Sequence, residues 1–528
     1  MPDRGNPRPS YESRSSGRES AHIKKSQSRL TSTLRSSATE DGSAATGRRR
    51  FKFPGHARKR TEAFHKPKCR TRVCALVLLT VVLPLLSGCQ KPGETTAVPA
   101  SPAKSLTIFY TCDTRGHIDP CGCSSGMAGG IARRKTFLEA HPSGPHLLVD
   151  AGDVTAGPRA WELLEFEYLL KGYEQMGYDA INAGHREASL GLDRLLGLKG
   201  QHKGLVSANL ANEKGEPVLA PYRIITLPDG ATVGITGILD DKVSAAEIGK
   251  GLKILPPHDA LARILPELKR RAGFIVLLAF ADEERMKELA ERFYEINVIV
   301  GGKVLQPSAT PLVVNRTVIT YMTDKGKAVG CLELKGDPGG RFNHTNSIVM
   351  MKEEFKDDPA MTKLIAEYKA RLKELDFLPA AEKDDEEGLT LITAERSKDA
   401  NRYVGAESCQ SCHPQAYKMW ADSKHARAFH TLEEKGYDTN PRCLECHTIG
   451  YRASDGFLNA RLTPQLKNVS CESCHGRGDH HVKYYAGENR QLKDFKFRKV
   501  NCLGCHNPDN SAKFEYASYW EKINHGRD

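Results

Sequence analysis

Four copies of Cys-x-x-Cys-His lie between residues 409 and 506: Cys409-Gln-Ser-Cys412-His413, Cys443-Leu-Glu-Cys446-His447, Cys471-Glu-Ser-Cys474-His475 and Cys502-Leu-Gly-Cys505-His506. Nothing else in the 528-residue chain restricts its fold so tightly. Two thiols separated by two residues reach both vinyl groups of one haem and form thioethers, and the adjacent imidazole reaches the iron from the same side. A lone Cys-x-x-Cys also serves zinc or redox chemistry. Four copies, each with its His, leave zinc little room. The expectation is four covalently bound c-type haems, with His413, His447, His475 and His506 as proximal ligands. Residues 401–528 hold few long apolar runs and no clear strand alternation, so they cannot build an ordinary core. The porphyrins would be that core, wrapped by short helices and loops. His425, His430, His480, His481 and His525 are the candidates for the distal positions. A second His generally favours low-potential electron transfer, and an open face favours small-molecule chemistry.

The chain's net charge of +12 is confined to its N-terminus. Residues 1–88 hold 19 Lys and Arg against 6 Asp and Glu, a surplus of 13, so residues 89–528 carry a net of −1. A basic body that grips nucleic acid is excluded as the default. Hydrophobic content of 39% is low for a multi-span membrane protein. Residues 1–60 are rich in Ser, Arg, Gly and Pro and cannot bury enough surface to fold. Lys66, Lys68, Arg70 and Arg72 then precede the apolar run Val73–Leu86, which suits a signal-peptide core better than a membrane span. The run ends in Leu86-Ser87-Gly88-Cys89, which resembles the bacterial lipobox. That resemblance implies lipidation at Cys89, with Gln90 next to it favouring the outer membrane, and so a lipid-anchored chain on the periplasmic side of the cell envelope. The 60 residues ahead of the signal are abnormal for one, and a misassigned start codon is the plain explanation. Haem attachment of this kind occurs outside the cytoplasm, in accord with such an address.

Tyr403-Val-Gly, the first haem motif, and then Trp420-Ala-Asp-Ser423-Lys-His425-Ala426-Arg-Ala-Phe429 resemble the tetrahaem cytochrome c-554 family over about residues 401–510. In that family the W-x-x-S-x-H-A segment supplies a distal histidine, and His425 is the matching position. The resemblance implies electron transfer with redox partner proteins.

Residues 105–352 read as an α/β domain. Strands are expected at 106–111, 146–150, 232–238, 274–278 and 298–300, and helices at 160–176 and 283–293. The order of several stretches resembles the calcineurin-like metallophosphoesterases, specifically the 5′-nucleotidase branch. They are Cys112-Asp113-Thr-Arg115-Gly-His117, Gly129-Gly130-Ile-Ala-Arg133, Asp150-Ala-Gly-Asp153, Gly184-His185-Arg186-Glu187, Leu205-Val-Ser-Ala-Asn209 and Val300-Gly301-Gly302. That family holds two metal ions with Asp, His and Asn to activate water on a phosphate ester. The pattern is broken here. D-x-H becomes Asp113-Thr114-Arg115, G-N-H-E becomes Gly184-His185-Arg186-Glu187, and G-G-H-T-H becomes Gly301-Gly302-Lys303-Val304-Leu305; a further family His falls at Phe280. Asp113 and Asp153 survive of the protein ligands, with His185 as part of the remnant. A guanidinium in place of a ligand repels a metal, so metal-dependent hydrolysis and a bound divalent metal are both doubtful. Two uses of Arg115, Arg186 and Lys303 remain open: holding a small anionic molecule, or pairing with Asp113 and Asp153.

The segment after Asp113 carries Cys121-Gly122-Cys123, close enough for a strained disulfide or a shared soft metal. It resembles an extra loop, thought to be redox-active, in a subgroup of nucleotidase-like proteins. Cys121 and Cys123 are candidate redox thiols, with Arg115 and His117 near in sequence to favour the thiolate; a structural disulfide, with Cys112 or Cys331 as further partners, is the competing picture.

Residues 353–400 read as a helix and acidic linker. Asp358-Pro359 forms an N-cap and first-turn pair, and Met361, Leu364, Ile365, Tyr368, Leu372 and Leu375 make one apolar stripe. The organisation expected is thus a basic region with signal over 1–88, a linker over 89–104, a metallophosphoesterase-like α/β domain over 105–352, this linker, and a small, mainly helical multihaem cytochrome c domain over 401–528. The function expected is electron transfer. An active nucleotidase with an appended cytochrome, and a haem enzyme acting on a small nitrogen or sulfur compound, are the alternatives.

Overall fold

The computed structural model describes residues 105–121, 127–141, 144–323, 325–336, 342–379, 400–491, 501–511 and 513–526. Cys89, Cys123 and the acidic run 382–387 lie outside them, as does the Cys121 side chain. Among the described residues no helix is long and apolar enough to cross a membrane.

The α/β region is built on two six-stranded sheets flanked by helices. In the first, Ser105–Thr111 is central. It runs parallel to His146–Asp150, which is followed outward by Ala180–Asn182 and Leu205–Val206. On its other side Ala328–Gly336 pairs antiparallel, and Phe342–Met350 closes the edge. In the second sheet Thr232–Leu239, Phe274–Phe280, Val298–Gly302 and Thr317–Tyr321 are parallel, with antiparallel edges Tyr222–Thr226 and Leu312–Val314. Phe274–Phe280 is buried at every position, as a strand covered on both faces must be.

The sheets are tied together by polar as well as apolar contacts. The Tyr110 hydroxyl meets Thr320 Oγ1 at 2.6 Å, and Asn182 Nδ2 donates to the Ile238 carbonyl at 2.8 Å. All five expected strands form, each at least as long as its apolar run. The helix expected at 160–176 spans Ala160–Met176.

The Pro359–Leu375 helix begins as its sequence dictates, with the Asp358 carboxylate accepting from Met361 N at 2.9 Å. Its stripe of Met361, Leu364, Ile365, Tyr368 and Leu372 is buried in the core of the first sheet. The helix is thus a packed layer of the α/β region, lying on Ala160–Met176 and Ile131–Ala140.

The C-terminal region is helical, in short pieces. Its own apolar cluster comprises Phe429, Leu432, Leu444, Ile449, Phe457 and Leu466. Six buried side chains are few for more than a hundred residues, and polar clamps do much of the remaining organisation. The Glu472 carboxylate accepts from Val404 N, Gly405 N and Gly478 N, fastening the Tyr403-Val-Gly segment to the third Cys-x-x-Cys-His helix. Trp420 Nε1 donates to the Val469 carbonyl at 2.8 Å.

Candidate functional site

Three of the four motif histidines face a second histidine. His413 lies 6.0 Å from His481 between ring centres, His506 lies 6.1 Å from His425, and His475 lies 5.9 Å from His525. An imidazole nitrogen binds a first-row metal at about 2 Å, with the ring centre about 1 Å further back, so two imidazoles on opposite faces of one metal stand about 6 Å apart. The residues present therefore fit c-type haem. His413, His475 and His506 would hold iron from one side, and His481, His525 and His425 from the other. When bound, such a haem supplies reversible one-electron chemistry.

The second motif, Cys443–His447, differs. His447 Nδ1 donates to the Ala428 carbonyl, which fixes the ring and leaves Nε2 for a metal. Among the described residues no second histidine ring stands opposite it at the spacing of the other three. His430 sits on an exposed helix face between Glu433, at 3.3 Å, and Glu434, at 3.4 Å. The backbone N–H of His480 donates to Asn401 Oδ1 at 3.0 Å; it is His481 that faces a proximal ring.

The thiols also meet across motifs. Cys409 of the first lies beside Cys471 of the third, Cys446 of the second beside Cys505 of the fourth, and Cys474 of the third near Cys502 and Cys505 of the fourth. The third motif thus lies near both the first and the fourth, and the second near the fourth, an arrangement that spacing along the chain does not disclose.

In the α/β region the remnant residues converge at the C-terminal ends of the strands. Asp113, Arg115, Asp153 and Lys303 all have φ between 47° and 60°, a left-handed conformation that costs energy for a residue with a side chain. Asp113 and Asp153 are buried. The Arg115 guanidinium is bonded to Asp113 Oδ1, and Thr323 donates to Asp113 Oδ2 at 2.8 Å. Asp153 Oδ1 accepts from Arg186 N at 2.9 Å, and the Arg186 guanidinium lies 3.5 Å from Oδ2. Burial raises the Asp153 carboxyl, with the neighbouring Glu187 adding to the rise. Lys303 reaches neither aspartate and pairs instead with the fully buried Asp240 at 3.3 Å. His185 Nε2 bonds the Asp240 carbonyl at 3.0 Å. Each surviving carboxylate is engaged by a guanidinium where a metal would need it, so these residues do not fit a two-metal centre. Asn209 ties the Leu239 and Leu255 carbonyls and serves as scaffold.

Arg115 is neutralised by Asp113. Burial, with Arg442 second, pushes His117 down to about 3, and its Nδ1 is bonded to the Thr114 carbonyl at 3.0 Å. The residues before the loop are nevertheless well placed: Pro120–Cys121 pairs with Ala128–Gly129 as a small hairpin.

Residues 408–476 match the family model for cytochrome c554 and c-prime. The C-terminal helical region carries a cytochrome c554 domain. Over 157 residues the chain is 28% identical to the cytochrome c-554 of Nitrosomonas europaea, an alignment covering 23% of this chain and 66% of that protein. The α/β region is similar to the 5′-nucleotidase of Bos taurus, 24% identical over 315 residues, which is 52% of this chain and 54% of the relative. Among solved structures, the 5′-nucleotidase precursor from Thermus thermophilus aligns at 25% identity with a TM-score of 0.45, covering 52% of this chain and 61% of that one. The chain thus spans less than two thirds of the length of each of these relatives.

The cytochrome c554 domain docks on the α/β domain through polar pairs. Tyr437 donates to Asp119 at 2.6 Å, Asn459 to Asp376 at 2.8 Å, and Lys325 and Lys327 both bind Asp509. Arg442, the residue before the first thiol of the second motif, reaches Glu165 at 2.6 Å and lies over the Trp161 ring. Asp119 and Glu165 are interdomain partners that sequence reasoning missed. A buried Glu on the apolar face of an amphipathic helix was the available signal.

Proposed function

We propose that this protein is an exported, lipid-anchored tetrahaem cytochrome that transfers electrons, with an α/β domain that no longer hydrolyses phosphate esters. The three facing pairs His413–His481, His425–His506 and His475–His525 carry the reading. Bis-His iron favours outer-sphere electron transfer over bond chemistry. The nearness of motif one to three, three to four and two to four supports close contact between haems, which an electron path needs. The loss of hydrolysis is supported by Arg115 on Asp113 and Arg186 on Asp153.

Electrons would pass between redox partner proteins through the haems. The Cys121–Cys123 loop is proposed as a dithiol that feeds them, because Asp119, two residues before Cys121, is hydrogen-bonded into the cytochrome domain. A dithiol gives up two electrons and two protons as its disulfide forms, and the haems accept the electrons singly. A second reading rests on His447: a haem there with no opposed histidine offers an open face to a small nitrogen or sulfur compound.

Stopped-flow mixing of the dithionite-reduced holoprotein with an oxidised soluble c-type cytochrome tests the first reading. Rapid reoxidation of all haems is expected. Haems that reoxidise only with a small-molecule acceptor would favour the second reading. Membrane fractionation of Cys89→Ala tests the anchor: the variant is expected to leave the membrane or to remain unprocessed.

A further inference from the structure

We infer that Glu165, an acid of the α/β domain, is a redox-linked proton site for the haem of the Cys443–His447 motif, taking up a proton when that haem gains an electron. The domain would then act as an electrostatic regulator of the cytochrome it carries.

The geometry joins the two. Glu165 lies on the inner face of the Ala160–Met176 helix, its side chain only 3% exposed. Its Oε2 accepts from Arg442 Nη2 at 2.6 Å. Arg442 directly precedes Cys443, and its guanidinium lies with Glu165 and near Tyr368. The carboxylate, the guanidinium and the attachment point of a haem therefore form one cluster across the domain boundary. Gly116 closes the cluster: a Cβ there would overlap both the Glu165 carboxylate and the Arg442 guanidinium. The same turn carries Asp113 and Arg115, so the remnant metal site and the haem motif abut the same ion pair.

The groups that face Glu165 are Arg442 from the cytochrome domain, Glu162 on its own helix and Tyr368 from the Pro359–Leu375 helix. His117 faces Arg442 and is held neutral by burial. Arg442 is the one cation among them. Burial pushes the Glu165 carboxyl up to about 7 against the pull of Arg442, so a modest change in local charge suffices to protonate it.

Charge balances in the step. A haem attached at Cys443 would supply one-electron chemistry, so an electron from a one-electron donor would remove one positive charge from its iron. One proton from solvent on the Glu165 carboxylate would restore the charge. Linkage makes the coupling reciprocal: ionised Glu165 disfavours the electron, so the midpoint falls as pH rises.

The test is spectroelectrochemical titration of the holoprotein from about pH 6 to about pH 8, after its haem content is measured. One haem is expected to lose potential as pH rises. In Glu165→Gln that dependence should vanish, with the midpoint held near its low-pH value. In Arg442→Gln it should move to higher pH, because the carboxyl loses its cation. An undiminished dependence in Glu165→Gln overturns the inference. Should that variant fail to fold, wild-type midpoints that are flat with pH, or an Arg442→Gln profile identical to wild type, overturn it equally. Protein without attached haem would sink the haem assignment on which this rests. Haem-loaded protein with pH-independent midpoints would sink this inference alone.

Discussion

His425 and His506 face each other with 6.1 Å between ring centres, although one follows a Trp-x-x-Ser segment and the other closes the last haem motif. The spacing fits two imidazoles that would hold one iron between them, as do the spacings of His413–His481 and His475–His525.

Replacing a histidine proposed as a distal ligand should therefore change the spin state of one haem only. His425→Ala, His481→Ala and His525→Ala are each expected to convert one low-spin haem to high spin in low-temperature electron paramagnetic resonance. His430→Ala, at an exposed position between two glutamates, should leave the spectrum unchanged. A change with His430→Ala and none with His425→Ala would reverse the assignment.

The α/β site is expected to show no metal-stimulated hydrolysis of 5′-nucleotides with manganese, cobalt or zinc. Arg115 and Arg186 already neutralise the two carboxylates, and a dication would have to displace both. Turnover on the order of 1 per second or more, an ordinary enzyme rate, would show that the site still works as a hydrolase.

Acid should loosen the domain docking in a defined window. Desolvation pushes Asp509 up, but Lys325 and Lys327 outweigh it and hold the carboxyl down at about 2, against an ordinary value of 3.8. A depressed folded-state value contributes stability that is present above about pH 4 and is lost as pH falls towards about 2. Asp509→Asn should flatten the melting temperature across that window. An equally steep acid loss in the variant would place the sensitivity elsewhere.

Gly116→Ala is expected to destabilise by about 1–3 kcal/mol. Gly116 has φ +76° and packs against the interdomain pair. Thermal unfolding followed by circular dichroism checks this, and a melting temperature equal to wild type would contradict the close approach.

Much of this was legible in the sequence where local rules govern. The Ala160–Met176 helix follows from apolar periodicity, the Pro359–Leu375 helix from its Asp-Pro cap, and the haem motifs from thiol spacing. Long-range partners were not. Glu165 and Arg442 are 277 residues apart, and no periodicity links them. Lys303 lies with Asp240 because two neighbouring parallel strands, Val298–Gly302 and Phe274–Phe280, set its loop beside the end of Thr232–Leu239; substitution at a family ligand position alone suggested Asp113 or Asp153. The strand Phe342–Met350 carries polar residues at many positions and gives a weak alternating signal. The choice of His481 over its neighbour His480 is a matter of helix phase, which fixes which ring faces His413.

The central claim is that the C-terminal quarter is organised around covalent haem. Intact mass spectrometry of the protein made with haem-maturation machinery tests it most directly. The mass should exceed that of the mature chain by four haems. A mass with no added haem and bound zinc at the Cys-x-x-Cys-His motifs would contradict it.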